Sequence, residues 1–114
     1  MHIRDAQTQL AEYIDEIGYR EVEKTPAEAF LHLVEEVGET ARSLLHSGTA
    51  RGKMSNTTVP KELEEEVADV FWQTLKLAVY LDIDLEGAFE KKFAKNRARG
   101  KTGMRQDATG ARQD

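Results

Sequence analysis

Two pairs of carboxylates carry the clearest chemical signal in this 114-residue chain. Glu36 with Glu39 and Glu66 with Asp69 are each spaced i, i+3, which places both members of a pair on one face of a helix. Antiparallel packing of two such helices can bring the four side chains around one point. Oxygen ligands of this kind select Mg²⁺ or Mn²⁺, with water in the remaining octahedral positions. The spacing therefore indicates a divalent-metal site.

The surroundings of the second pair favour a cation over a solvated surface. From Val67 to Leu81 eleven of fifteen residues are apolar, which predicts burial on several sides of the helix. A polar strip along this helix follows the spacing i, i+4, i+7, i+11 and consists of Glu62, Glu66, Asp69 and Gln73. Because an unpaired carboxylate in a water-poor setting costs several kcal/mol, the strip needs protons, basic partners or a metal ion.

Each acidic pair also has an alternative explanation. Helix two carries an apolar stripe opposite its glutamates, which is typical of a surface helix with a solvated face; the stripe consists of Phe30, Val34, Val37, Ala41 and Leu44. For the second pair, the alternative is salt bridges from Lys61, Lys76 or a basic residue of helix four. A di-iron site is disfavoured because Glu39 stands where such bundles carry a histidine.

The elements that position these residues are predicted to be helices. Thr25, Pro26 and Glu28 form the capping-box pattern of a helix start, and Val59 to Glu62 repeats the proline-then-acid pattern. Hydrophobic periodicity predicts helices at about 4–17, 26–46, 60–82 and 85–99, and no segment alternates as a strand does. The chain is therefore predicted to be all-α, with one helical domain over 1–100.

Two segments lack this periodicity. Residues 46–58 are rich in Gly, Ser and Thr, which predicts a mobile loop. Residues 101–114 contain Met104 as their one large apolar residue, which predicts a disordered polar tail.

Composition and charge exclude several classes of protein. The chain has 16 basic and 21 acidic residues, a formal charge of −5, which argues against a general nucleic-acid binder. It has no cysteine, so a disulfide framework, a thiolate metal site and a cysteine nucleophile are excluded. Its apolar stretches are shorter than the roughly 20 residues that a membrane span requires. We therefore expect a cytoplasmic protein with no membrane and no stable nucleic-acid partner.

Helix four carries the opposite charge from helices two and three. Six basic residues lie between Lys91 and Lys101, and Lys92, Asn96 and Arg99 share one face. These side chains are candidates for binding an anionic ligand. The alternative is that cations near a helix C-terminus complement the helix dipole.

Three motifs in this order resemble a known family. The motifs are EEVGE at 35–39, EEVAD at 65–69 and KKFAKNRAR at 91–99, and the chain resembles the MazG family of all-α nucleoside triphosphate pyrophosphohydrolases over about residues 26–99. The resemblance implies a four-helix bundle assembled as a dimer or tetramer. It also implies Mg²⁺-dependent cleavage of a nucleoside triphosphate between the α and β phosphates, in house-cleaning or nucleotide-pool control.

The resemblance assigns roles residue by residue. The metal ligands of the family match Glu36, Glu39, Glu66 and Asp69. Glu35 matches the first family glutamate, which orients or deprotonates the attacking water or serves as an extra ligand. The residues that reach the nucleotide match Lys92 and Asn96, with Lys95 and Arg99 as weaker candidates.

Two further side chains lie beside the acidic motifs. Trp72 flanks the acidic strip and is a candidate for stacking on a base, with a core or dimer contact as the alternative. His32 lies one turn before Glu36 and is a candidate for lining the ligand pocket. The apolar circumference of the helix that carries Trp72 also predicts a homodimer or homotetramer.

Two competing functions stay open at this point. One is a phosphoribosyl-ATP pyrophosphohydrolase, in which we expect a Tyr-His pair soon after the aspartate; Val70 to Gln73 lacks this pair. The other is a non-catalytic helical dimer whose acidic faces only improve solubility or pair with a basic partner. Mg²⁺ titration discriminates an enzyme from such a binding module.

Overall fold

The computed structural model describes residues 2–47 and 61–107, and these form an all-helical chain. In order, the elements are α1 (Ile3–Glu16), a single 3₁₀ turn (Tyr19–Glu21), α2 (Pro26–Ser47), α3 (Lys61–Leu81) and α4 (Leu85–Asp107). The described residues contain no strand, so the all-α prediction is confirmed. The predicted loop falls largely outside the described residues, as does the end of the predicted tail.

A local sequence signal sets the start of α2. The Thr25 hydroxyl accepts a hydrogen bond from the Glu28 amide at 3.2 Å, and the Glu28 carboxylate accepts one from the Lys24 amide at 3.1 Å. These reciprocal contacts satisfy N–H groups at the helix start that have no intrahelical partner. The predicted start of helix two at Pro26 is therefore confirmed.

The far end of α4 differs from the prediction. The helix runs through Gly100 to Asp107, past the predicted end at 99. Glycine within a helix costs only about 1 kcal/mol relative to alanine, and good helix formers such as Lys101, Met104 and Arg105 follow Gly100. Gly100 and Gly103 were therefore too weak as stop signals.

The helix α3 is the centre of the fold because it packs against both α1 and α2. A small core forms where Leu10 and Ile14 of α1 meet Leu75 of α3. The helix α4 packs on α1 and is tied to it by Arg4, which pairs with both Asp84 and Glu86 at 2.9 Å.

The orientation of α2 differs from that expected for an ordinary surface helix. Its side toward α3 carries Ala29, which is fully buried, and then His32, Glu36 and Thr40, which are partly buried. The Thr40 hydroxyl lies 3.4 Å from the Glu66 carbonyl oxygen of α3. The polar face of α2 therefore lies against α3.

The apolar stripe of α2 lies on the outside of the chain. Phe30, Val34 and Val37 are each about half exposed. A chain of this length has too little structure to cover every apolar helix face. The alternative in which this stripe meets the core and the glutamates meet solvent therefore does not hold for Glu36, which is partly buried, although Glu35 and Glu39 are exposed.

None of the described helices combines the length and the apolar character that crossing a membrane requires.

Candidate metal centre

Three of the predicted metal ligands converge between α2 and α3. Glu36 and Glu39 of α2 and Glu66 of α3 each offer one carboxylate oxygen, and these oxygens lie within 4.8 Å of one another. The Glu36 side chain is 14% exposed, Glu66 is partly buried and Glu39 is exposed. One side of the group is therefore withdrawn from water and the other stays accessible.

The acidic cluster, defined as Glu36, Glu39 and Glu66, has an excess of negative charge. The pKa of Glu36 is raised above its usual value by burial first, and then by the charges of Glu39 and Asp69. Buried Oε2 atoms of Glu36 and Glu66 have no hydrogen-bond partner within the described residues. Buried carboxylate oxygens without partners are what a hard divalent cation binds, so these residues fit Mg²⁺ or Mn²⁺.

Salt bridges do not neutralise the acidic cluster in the part of the chain that the structure describes. The ion pairs found there join no Lys or Arg to Glu36, Glu39, Glu66 or Asp69. Lys76, one of the basic partners considered from sequence, pairs instead with Glu23 at 2.6 Å. Among the described residues, the basic side chain nearest to a cluster member is His32, whose Nε2 lies 3.7 Å from Glu36 Oε1.

The remaining two acidic candidates lie outside the compact group of three carboxylates. Asp69 is exposed, and its charge contributes to the raised pKa of Glu36, although it stands outside the compact three-residue group. Glu35 is exposed on α2. Both side chains are therefore accessible to water.

A second charged cluster, which sequence reasoning did not predict, lies next to the first and consists of Glu23, His32 and Lys76. The Lys76 side chain is only 2% exposed, and its Nζ lies 2.9 Å from His32 Nδ1. Glu23 Oε2 also lies 2.9 Å from His32 Nδ1 and accepts a hydrogen bond from the Tyr19 hydroxyl at 3.1 Å. One signal was available: Lys76 is a lone cation within an apolar run and needs an acidic partner.

In this second cluster the carboxylate faces a cation: Glu23 Oε1 has no hydrogen-bond partner within the described residues, but it lies 2.6 Å from Lys76 Nζ. Burial acts to raise the pKa of Glu23, but Lys76 and His32 outweigh burial and lower it below its usual value. The Tyr80 hydroxyl donates to the Glu23 carbonyl oxygen at 2.6 Å and fixes the backbone at this point. The connection between α1 and α2 is thereby held against α3.

His32 links the second cluster to a cavity of about 200 Å³. Aromatic rings line one part of this cavity, where Tyr13 and Trp72 stack edge to face with centroids 6.0 Å apart. Polar side chains line another part, namely His32, Gln73 and Lys76. Two sequence candidates, His32 and Trp72, are therefore brought to one pocket, while Tyr13 was not predicted to take part.

The basic candidates of α4 lie elsewhere in the chain. Lys92, Lys95 and Asn96 are exposed, and Arg99 donates a hydrogen bond to the Asn96 side chain at 3.0 Å. Within the described residues no ion pair joins them to the acidic cluster. Within the described residues, the contacts of α4 are mainly with α1.

Comparisons with known proteins agree with the motifs. A family model described as the MazG nucleotide pyrophosphohydrolase domain matches residues 24–104. The uncharacterized protein YpjD of Bacillus subtilis (strain 168) is 33% identical over 99 residues, which cover 87% of this chain and 86% of that protein. No solved structure gives a significant match. Since the family model covers well over half of the chain, the protein belongs to the MazG nucleotide pyrophosphohydrolase family.

Proposed function

We propose that this chain is a Mg²⁺-dependent nucleoside triphosphate pyrophosphohydrolase. It cleaves the anhydride between the α and β phosphates and releases a nucleoside monophosphate and pyrophosphate, with Mn²⁺ as a substitute metal. The observation that carries the proposal is the acidic cluster, whose buried oxygens of Glu36 and Glu66 lack partners among the described residues. Membership of the family supports the same reaction.

The acidic residues divide into two roles. Glu36, Glu39, Glu66 and Asp69 hold the metal, which when bound neutralises phosphate oxygens and so eases attack on the anhydride. Glu35 is exposed next to Glu36 and accepts the proton of the attacking water. No side-chain nucleophile is needed for this reaction.

The cavity beside the acidic cluster accommodates the base of the nucleotide. Trp72 is 45% exposed, so part of its ring is available for stacking. His32 lines the same cavity and approaches Glu36, which supports a base pocket next to the phosphate site.

A second copy of the chain completes the site. Phe30, Val34, Val37 and Phe71 are about half exposed, and such apolar helix faces are covered when identical chains associate as a dimer or as a tetramer of dimers. The α4 helix of one copy then supplies Lys92, Lys95, Asn96 and Arg99 to the triphosphate bound by another. Val37→Glu is expected to give monomers in analytical ultracentrifugation and to abolish hydrolysis. An active monomer would contradict this assembly.

The test of the reaction is pyrophosphate release from a panel of canonical and modified triphosphates with Mg²⁺. We expect release by the wild type, with Glu39→Gln inactive and the exposed Glu64→Gln of α3 active as the matched control. Glu35→Gln is expected to lower kcat by about 10²- to 10⁴-fold while metal binding persists. Absence of hydrolysis across the panel would leave only a metal-binding or regulatory helical module.

A further inference from the structure

Gln73 is a buried polar side chain that the reaction as described does not use. It lies on α3 next to Trp72, is 6% exposed and lines the cavity of about 200 Å³. Its Oε1 is buried and has no hydrogen-bond partner within the described residues. Oε1 is thus enclosed by the protein without a hydrogen bond within the described residues, in a side chain that lines the cavity.

This lack of a partner distinguishes Gln73 from polar residues with a structural role. The neighbouring Thr74 hydroxyl donates to the Val70 carbonyl oxygen at 2.8 Å, and Thr40 does the same to Glu36 at 2.9 Å. Buried polar groups are nearly always bonded, because desolvation without a replacement bond is unfavourable. A ligand group that donates a hydrogen bond to Oε1 removes this cost.

The other walls of the cavity restrict the chemistry of that ligand. The lining consists of ring and apolar surfaces together with the polar side chains of the second cluster: Tyr13, Trp72, Leu10, Ile14, His32 and Lys76. Drug-sized ligands fill cavities of about 300–1,000 Å³, so a smaller cavity accepts one ring system and leaves the rest of a ligand outside. A flat heteroaromatic ring with an N–H donor on its edge meets both requirements.

We infer that Gln73 is the specificity-determining residue that reads the nucleobase. Oε1 accepts an N–H of the base, and the amide NH₂ donates to an adjacent ring nitrogen or carbonyl oxygen. A carboxamide pairs with the edge of a base through two such bonds. The inference rests on the proposed function for the identity of the ligand as a nucleotide, but the base contact itself requires neither metal nor phosphate.

The first experiment observes this contact without catalysis. Nucleosides are added to the metal-free wild type, and the side-chain amide resonances of Gln73 are followed by ¹⁵N NMR, assigned by their loss in Gln73→Met. We expect a saturable shift with nucleosides and none with ribose, while the exposed Gln9 stays unchanged as the control. The inference would be overturned if the Gln73 amide resonances did not shift when each nucleoside was added up to its solubility limit. Because no hydrolysis is measured, this outcome is independent of the proposed reaction.

The second experiment measures selectivity. The values of kcat/KM for base-containing triphosphates and for an abasic ribose triphosphate are compared in the wild type, Gln73→Met and Gln9→Met. We expect Gln73→Met to lower kcat/KM roughly 10- to 100-fold for base-containing substrates only, as loss of hydrogen bonds to a buried group does. An equal loss for the abasic substrate would show a structural role and overturn the inference, as would no loss for any substrate. Gln9→Met is expected to match the wild type.

Discussion

Two neighbouring clusters of charged side chains lie along α2 and α3, and they differ in how their negative charge is neutralised. The cluster of Glu23, His32 and Lys76 contains its own cation, an ammonium that is only 2% exposed. The acidic cluster of Glu36, Glu39 and Glu66 contains none. His32 belongs to the cluster that contains Lys76, and its Nε2 lies 3.7 Å from Glu36 Oε1 of the acidic cluster.

The two clusters shift the pKa of a glutamate in opposite directions: the pKa of Glu23 is lowered and that of Glu36 is raised. Both Glu23 and Glu36 are withdrawn from water, and burial acts to raise the pKa of each. Lys76 and His32 reverse the effect for Glu23, whereas Glu39 and Asp69 add to it for Glu36. A buried cluster that holds its counterion is electrostatically balanced within the fold, whereas one that lacks it is available to a cationic ligand.

The largest effect is expected from removing the fixed cation. Lys76→Met leaves Glu23 buried without its partner, and breaking a buried ion pair in this way costs about 3–5 kcal/mol. Urea denaturation should show this decrease in the free energy of unfolding.

The controls for this prediction use the same helix and the same pair. Lys61→Met changes an exposed lysine of α3 and is expected to stay within about 0.5 kcal/mol of the wild type. Combining Lys76→Met with Glu23→Gln should recover much of the lost stability. A Lys76→Met variant as stable as Lys61→Met would show that the pair contributes nothing.

A smaller but measurable effect is expected when the missing cation is added. Binding to the folded state alone stabilises it by about 2.7 kcal/mol at a Mg²⁺ concentration of 100 times Kd. Denaturation at constant ionic strength, with and without Mg²⁺, measures this increase. Glu66→Gln should abolish the increase and Glu64→Gln should keep it, so equal responses of the two variants would argue against a specific site.

Acid should lower the stability that the cluster of Glu23, His32 and Lys76 contributes to the fold. Because the folded pKa of Glu23 lies below its ordinary value of 4.5, the stability that its charge contributes is complete above that value and is lost as the pH falls through the folded pKa. The free energy of unfolding of Glu23→Gln should therefore depend less on pH in acid than that of the wild type. Parallel pH profiles would contradict the assignment.

The smallest effect is expected in alkali. Burial, and then the hydrogen bond to Glu23 and its charge, raise the pKa of Tyr19 from 10.0 to about 12. The neutral phenol therefore contributes stability that is complete below pH 10.0 and is lost as the pH rises toward about 12. Spectrophotometric titration of the wild type minus Tyr19→Phe should show one phenol ionising near the upper value; ionisation at the ordinary value would contradict the prediction.

Local signals in the sequence predicted more of the fold than of the site. The capping box at Thr25 is a contact between near neighbours, so its pattern alone located the start of α2. The pairing of Glu23 with Lys76 depends on tertiary packing, and no local pattern specifies it. The spacing of Glu36, Glu39 and Glu66 predicted that their carboxylates meet at one point. Only the structure shows which side of α2 faces α3. For the same reason, the sequence placed Gln73 in the polar strip without showing that its amide is enclosed.

The most direct test of the metal site is to measure Mn²⁺ binding by electron paramagnetic resonance, which reports the concentration of free Mn²⁺. The four proteins compared are the wild type, Glu36→Gln, Glu66→Gln and Glu64→Gln. We expect saturable binding by the wild type and by Glu64→Gln. Replacing residues that only support a metal ligand typically weakens binding by roughly 10- to 100-fold, and we expect Glu36→Gln and Glu66→Gln to weaken it at least as much. Equal Mn²⁺ affinity in all four proteins, or no binding by the wild type, would show that these glutamates do not form a metal site.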